Sequence, residues 1–324
     1  MKFILNSKAI LTNLNPATIQ AVKQRLTMPN PKYAEAEKMN RSTREIDREL
    51  QFYEETPEGL ICPRGCAAKL YHLCKRYESD IQVVDNRRTL DPVDFTFSGE
   101  LRPLQTQAVD DVLSRDSGLL EAGTGAGKTV MALWIVAQRK QPALIIVHTK
   151  ELLNQWLDRI ETFLGIPRDE IGVIGSGKSH IGTRITVATV QTLYKRVDEV
   201  VPHIGHLVCD ECHRAPSRMF TEAVNAFDAR YRLGLTATPW RRDKLSKVIF
   251  WTMGDVTGRI DKQDLVQAGN LCPAEVRWVK TEFKPFADAS AEYSKALSEL
   301  TEDEARCRFR RANPIKISGL ITRQ

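Results

Sequence analysis

Two hydrophobic patterns divide this chain. Up to about residue 95 the apolar runs are short and of mixed type. Phe3-Ile4-Leu5 starts a strand, and Asn15-Pro16 supplies a cap and a first-turn proline for a helix through Leu26. Pro29 to Arg48 is polar and shows no clear period. Leu60 to Gly65 reads as a strand ending in a turn, Ala67 to Tyr77 as a helix, and Ile81 to Val84 as a strand. From Leu101 onward, apolar runs alternate with helical periods, which is the signature of a parallel sheet. The expected strands are Gly118–Glu121, Ala143–Val147, Ile185–Ala188, His206–Cys209 and Tyr231–Leu235, with helices between them such as Glu151 to Phe163. Trp156, at helical spacing with Leu152 and Leu153, reads as core. The expected fold is α/β, a parallel sheet flanked by helices, preceded by a small α+β unit. No internal repeat or low-complexity tract interrupts it.

In an open parallel sheet, ligands bind beyond the carboxyl ends of the strands, and the chemically suggestive residues cluster there. Leu119 to Thr129 is an apolar strand, a glycine-rich turn and a Gly-Lys-Thr that opens an apolar helix. Gly123, Thr124, Gly125, Ala126 and Gly127 would converge backbone N–H groups on a phosphate, aided by the helix dipole. Lys128 would reach the outer phosphates of ATP, and the Thr129 hydroxyl would ligate Mg²⁺. The first glycine of the usual phosphate-loop pattern is here Ala122. A second stretch, Gly172 to Ser179, fits that pattern literally. It is followed by the β-branched run Ile185 to Val190 rather than by a helix, so it lacks the dipole that would hold a triphosphate.

Leu207 to His213 is an apolar strand delivering two adjacent carboxylates. Asp210 would hold the Mg²⁺, usually through water, and Glu211 would orient and deprotonate an attacking water. His148-Thr149, Thr189 to Thr192 and Thr236-Ala237-Thr238 close three further strands. Five loops thus converge on one edge.

Composition adds bounds. The chain of 324 residues carries a net charge of +6, compatible with a nucleic-acid partner as well as with a plain basic surface. No apolar run approaches the ~20 residues that span a bilayer, so no membrane association is expected, and the N-terminus breaks too soon for a signal-peptide core. Seven dispersed cysteines point to a reducing compartment, by default the cytosol. Cys62, Cys66, His72 and Cys74 lie within thirteen positions, but their spacing fits no standard zinc pattern.

Asp210-Glu211-Cys212-His213 resembles the D-E-x-H box of superfamily 2 helicases and translocases, and Gly234 to Pro239 resembles their motif III. Their phosphate loop also begins with alanine, as Ala122 does here. Leu101 to Val109 resembles the motif that precedes the first strand, whose glutamine (here Gln105) reads the adenine edge. Ile145 to Trp156 and Val187 to Leu193 resemble motifs Ia and Ib, which grip the nucleic-acid backbone. The branch is similar to the XPB-like, type III restriction-like and phage UvsW-like proteins. Asn30 to Tyr33 and Pro63-Arg64-Gly65 resemble the accessory domain of the phage members.

The resemblance implies a RecA-like P-loop NTPase lobe over residues 98–280, an accessory domain over 1–97 that recognises DNA, and a helical connector over 281–324. It implies ATP and Mg²⁺ as cofactors and single-stranded, duplex or branched DNA as partner. Thr149, Gln191 and Thr192 would contact phosphates, while His213, Thr236 and Thr238 would couple them to ATP. Arg241 and Arg242 are either surface charge or contacts to the nucleic-acid strand. Such motors use a second lobe carrying arginine fingers, worth roughly 10³–10⁵ in rate, and no such lobe fits before Gln324. A truncated motor, a motor split with a partner chain, or a nucleotide-gated DNA-binding module without turnover are each compatible. So is the motor subunit of a restriction complex. The cluster Arg306 to Arg311 is a finger, a DNA contact or a solvated helix face. Hydrolysis by this chain alone is expected to be slow.

Overall fold

The first sheet is built from period-two alternation. In the computed structural model, which describes residues 1–214, 218–240, 245–271, 286 and 292–302, the chain forms two compact units, Met1–Leu265 and Val266–Gln324. The first unit opens with β1 (Lys2–Leu5), β2 (Lys8–Thr12), α1 (Pro16–Arg25), β3 (Thr27–Pro29), α2 (Pro31–Lys38) and β4 (Glu49–Gln51). Next come β5 (Glu54–Thr56), β6 (Gly59–Pro63), α3 (Ala67–Cys74) and β7 (Gln82–Asp85). Five of these strands lie in the order β5-β6-β2-β1-β7, with β3 and β4 pairing separately. Alternate residues of β2 and β6, namely Ala9, Leu11, Leu60 and Cys62, are buried with Phe3, Val22, Leu26 and Leu70.

The Asn15 carboxamide caps α1, accepting from the Thr18 N–H at 2.8 Å. The same device starts α2, where Asn30 accepts from the Lys32 N–H at 3.0 Å and Pro31 occupies the first turn. This helix lies in the stretch that shows no hydrophobic period, because Ala36 is its one buried residue. Cys62, Cys66 and Cys74 are buried among apolar side chains, whereas His72 is exposed on α3, so the four do not converge. Among the described residues no group of three or more His, Cys, Asp or Glu side chains is placed to hold a metal ion. Burial pushes the Cys66 thiol up to about 12 and the Cys74 thiol up to about 11, as expected of inert core cysteines.

The second sheet follows from α4 (Pro103–Leu113), β8 (Ser117–Ala122), α5 (Lys128–Arg139), β9 (Ala143–Val147) and α6 (Lys150–Leu164). The chain continues through β10 (Gly172–Gly175), β11 (Lys178–His180), β12 (Ile185–Thr189), α7 (Val190–Tyr194) and α8 (Val197–Val200). It then runs through β13 (His206–Cys209), α9 (Arg218–Ala226), β14 (Tyr231–Thr236), α10 (Ser246–Met253), β15 (Val256–Ile260) and α11 (Lys262–Gln267). The eight strands lie in the order β11-β10-β12-β9-β13-β14-β8-β15, all parallel except β11. Every residue of β9, β12 and β13 is buried, which is why these strands read as continuous apolar runs.

The second glycine-rich stretch is a β-hairpin. Gly175 pairs with Lys178 across Ser176 and Gly177, at φ 51° and 80°, the geometry of a tight two-residue hairpin turn.

The two sheets share a body. Val248 and Trp251 of α10 lie in the core of the first sheet, with the Trp251 and Phe52 rings 4.7 Å apart. The buried Arg64 guanidinium donates to the carbonyls of Ala229 at 2.7 Å and Arg230 at 2.9 Å. The intervening segment is stitched to the second sheet: Arg88 pairs with Asp228 at 2.9 and 3.0 Å, and Leu90 exchanges backbone bonds with the Gln141 carboxamide. In the second unit, α12 (Tyr293–Glu302) realises part of the helical stretch expected there. Arg241, Arg242 and the arginine cluster 306–311 lie outside the described residues.

Gly65 sits where nothing larger fits, since a Cβ there would lie 2.6 Å from the Trp251 carbonyl oxygen and 2.7 Å from the Gly254 nitrogen. Gly65→Ala is expected to destabilise the unit by about 1–3 kcal/mol, read as a lower urea midpoint. Fully buried His206 is a second test. Its Nε2 lies 2.9 Å from the Arg139 guanidinium, and burial followed by that positive charge holds its pKa well below the usual 6.5. The unfolded chain therefore binds a proton that the folded chain refuses, so stability is full above about pH 6.5 and falls progressively below it. Chemical denaturation between pH 7 and 5 should show this fall, and His206→Gln should shallow it.

Candidate active site

The parallel register places the ends of β8, β9, β12, β13 and β14 along one edge. Thr236 pairs with Glu121, Cys209 with both Gly234 and Ile146, and Thr189 with Val147. Beyond β8, Gly125 and Gly127 adopt φ of 86° and 83°, a left-handed conformation that admits glycine at no steric cost, and α5 begins at Lys128. Ala122 is the buried last residue of β8, in extended backbone that needs no glycine, which accounts for the departure from the usual pattern. Thr124 and Gly125 are exposed and Lys128 and Thr129 half-buried, so the loop opens outward. The Lys128 ammonium donates to the Ala122 carbonyl at 3.1 Å. At the approach to the loop, Arg259 on β15 is paired with Glu121 at 2.6 Å.

Gln105 supports this loop from behind. It is buried in the first turn of α4, where its Oε1 accepts from the Arg102 N–H at 2.9 Å and its Nε2 donates to the Ala126 carbonyl at 2.8 Å. A Cβ on Gly127 would meet that Nε2 at 2.5 Å, so the third glycine of the loop is required by Gln105 as well as by φ. Both ends of the carboxamide are thus engaged with backbone. The family resemblance implies an adenine-reading role for this residue; in the structure its carboxamide braces the loop.

Asp210 is 7% exposed, and its Oδ1 accepts from the Glu211 N–H at 2.8 Å. Its Oδ2 accepts from the Trp156 indole N–H at 2.8 Å. Burial raises the Asp210 pKa, the Trp156 hydrogen bond opposes that, and the Glu211 charge adds to it; the Lys128 charge, close enough to act, lowers it. Glu211 has φ 50°, a conformation unusual for a non-glycine residue and concentrated at functional sites. Its Oε2 lies 3.1 Å from His213 Nδ1. A carboxylate only accepts, so Nδ1 carries the imidazole proton. Thr236 Oγ1 stands 3.4 Å from the same nitrogen, donates to the Thr238 carbonyl at 2.9 Å and accepts from the Thr238 N–H at 3.2 Å. A continuous polar chain therefore runs from Asp210 and Glu211 through His213 to Thr236 and Thr238.

Thr149, Gln191 and Thr192 stand apart from that chain on the adjacent strand ends. Thr149 caps α6, accepting from the Leu152 N–H at 3.3 Å, Thr192 bonds Thr189 at 3.1 Å, and Gln191 is exposed. His148 stacks on Phe220 with ring centroids 5.5 Å apart. Burial, with Arg214 and His213 adding, pushes its pKa down to about 4, so it is neutral at pH 7. The one site residue the sequence pattern did not single out is Trp156. It is core, as its spacing predicts, but a buried indole N–H requires an acceptor, and that requirement pointed toward the neighbouring strand end.

A threonine hydroxyl and a buried carboxylate are hard oxygen donors, suited to Mg²⁺ with the remaining positions filled by water and phosphate. Thr129 and Asp210 fit that donor set, and the glycine loop fits a phosphate.

Residues 98–241 match the family model described as "Type III restriction enzyme, res subunit". This stretch is thus similar to that family and to proteins of the XPB type. The "DNA 3'-5' translocase XPB2" of Sulfurisphaera tokodaii is 35% identical over 191 residues, covering 58% of this chain and 42% of that protein. The "Putative ATP-dependent RNA helicase L396" of Acanthamoeba polyphaga mimivirus is 32% identical over 195 residues, covering 58% of this chain and 37% of that protein. The chain thus spans less than half the length of these relatives. The crystal structure of the UvsW helicase from bacteriophage T4 shares the fold, with a TM-score of 0.61 at 16% identity, over 79% of this chain and 99% of that one.

At the phosphate loop, Gln105→Ala removes both bonds to backbone and opens space behind Gly127. The expected outcome is a loss of about 1–3 kcal/mol in stability with weakened nucleotide binding, measured by thermal unfolding with and without ATP. Unchanged nucleotide binding would show that the loop holds its shape without this brace.

Proposed function

We propose that this chain provides the first motor lobe of an ATP-dependent DNA helicase or translocase. The observation that carries this reading is the convergence of Lys128, Asp210, Glu211, His213 and Thr236 on one edge of the sheet, joined by hydrogen bonds from Asp210 to Thr238. Relatives named as XPB translocases and helicases support it.

In this reading the backbone of Gly123 to Gly127 cradles the phosphates and Lys128 leaves the Ala122 carbonyl to reach them. Thr129 and Asp210 hold Mg²⁺, which when bound neutralises charge on the phosphates. Glu211 positions the attacking water and takes its proton, held at Oε2 by His213. His213 hands any displacement of Glu211 to Thr236 and Thr238. Thr149, Gln191 and Thr192 contact backbone phosphates, so binding is independent of base sequence and weakens steeply with salt. Residues 1–97 act as an accessory DNA-recognition domain, and residues 281–324 lead toward a second lobe, in the same protein or on a partner chain. Arginine fingers from that lobe would raise turnover by roughly 10³–10⁵. Among the described residues no helix is long and apolar enough to cross a membrane, and a cytosolic setting suits the buried reduced cysteines.

The second reading, a nucleotide-gated DNA-binding module, is favoured by the engagement of the Lys128 ammonium with the Ala122 carbonyl at the end of β8, a bond that must break before the ammonium reaches a phosphate. ATP hydrolysis by this chain, with single-stranded, duplex and branched DNA and with RNA, separates the two. Slow turnover that rises with DNA and is abolished by Lys128→Ala and by Glu211→Gln is expected. Nucleotide binding without turnover under any nucleic acid would establish the gated module, and stimulation by RNA alone would replace DNA as the partner.

A further inference from the structure

The Asp210 carboxylate is held from two sides. Its Oδ1 takes the Glu211 backbone N–H and its Oδ2 takes the Trp156 indole N–H, each at 2.8 Å. Two such bonds fix the rotation of the carboxylate about its bond to Cβ and leave accepting capacity on each oxygen. Trp156 itself is 2% exposed and sits inside α6, so the ring has no freedom to follow a moving partner. The backbone restrains the same group, because the Asp210 N–H donates to the Ile146 carbonyl of β9 at 2.9 Å and Glu211 is held at φ 50°. An indole N–H buried merely for packing could be satisfied by a neutral carbonyl. Its use of a carboxylate that must be desolvated needs a reason beyond packing.

We propose that Trp156 is a positioning residue for the metal-holding carboxylate: its indole N–H sets the orientation in which Asp210 receives Mg²⁺. The proposal rests on the nucleotide-binding reading above. It does not make Trp156 a catalytic residue, since the ring acts through Asp210. The physical analogy is the outer-shell hydrogen bond that orients a ligating group at other metal centres, whose loss typically weakens metal affinity about 10- to 100-fold.

The test measures binding of a fluorescent ATP analogue to the full chain with Mg²⁺ and with EDTA. It compares wild type, Trp156→Phe, and a chain in which Trp156 is replaced by benzothienylalanine, which keeps the ring volume and loses the donor. The gain in nucleotide affinity conferred by Mg²⁺ should fall about 10- to 100-fold in both variants, with Mg²⁺-free binding changed less than about twofold. A gain that survives intact in either folded variant overturns the proposal. A wild-type chain whose nucleotide affinity gains nothing from Mg²⁺ overturns instead the functional reading on which it rests.

A second readout needs no nucleotide. The chain contains five tryptophans, and the indole signal missing from the ¹⁵N spectrum of either variant is that of Trp156. It should lie downfield, exchange slowly with solvent, and move upfield on Asp210→Asn as the charged acceptor becomes neutral. A Trp156 signal indifferent to Asp210→Asn shows that the bond is absent, and the proposal falls whatever the binding data show.

Discussion

Everything at the candidate site depends on parallel pairing. A parallel strand buried on both faces satisfies its backbone only through its neighbours, so β8, β9, β12, β13 and β14 are held in one register and one direction. Their carboxyl ends must then emerge together. Residues separated by more than a hundred positions, such as Lys128 and Thr236, become neighbours without any contact between their own side chains being required. What remains for those side chains is fine orientation, and the hydrogen bonds around Asp210, Glu211 and His213 provide it.

The buried polar groups show how the elements are tied to one another once the sheet has formed. Fully buried Arg232 donates to the Thr252 carbonyl at 2.8 Å, the Phe227 carbonyl at 3.0 Å and the Val224 carbonyl at 3.2 Å. It thereby satisfies the open C-terminal ends of α10 and α9, where helix dipoles favour a cation. Arg64 does the corresponding work between the two sheets, and Gln105 between α4 and the phosphate loop. Each is a single polar side chain spanning two elements and bonding main-chain atoms, so its removal would leave main-chain polar groups unpaired. Such groups cost more to break than surface ion pairs, of which exposed Arg218–Glu222 is an example.

How much of this was legible in the sequence follows from where the information resides. The five parallel strands could be read because burial on both faces writes an uninterrupted apolar run, and the phosphate loop could be read because its glycines meet a helix. The hairpin Gly172 to His180 could be set aside because local context contradicted its motif. Helix α2 was not legible from periodicity, since one buried alanine makes no stripe; its Asn30-Pro31 start was present but was not used. The hydrogen-bond partners of Gln105 and Trp156 were hidden for a different reason. A sequence shows that a glutamine or an indole needs partners, but the partners, Ala126 and Asp210, lie 21 and 54 residues away and are chosen by tertiary packing. Cys62, Cys66, His72 and Cys74 had the same character: four potential ligands close in sequence, separated in space because α3 turns His72 outward.

The position of α10 gives the first sheet a stake in the chemistry of the second. This helix follows Thr236 and Thr238 in the chain, and its Val248 and Trp251 complete the core of the first sheet. Its last turn is capped by Arg232, which stands on β14 four residues before Thr236. Its other neighbour is the Arg64–Gly65 turn, packed too closely to admit a methyl group. A displacement of β14 or of the Thr236 loop therefore cannot be absorbed between the sheets, because close-packed contacts transmit small shifts rather than dissipate them. The first sheet moves with α10, or the contact breaks. The first sheet and the Thr236 strand are accordingly coupled through packing, by way of Arg232, α10 and the Arg64–Gly65 turn.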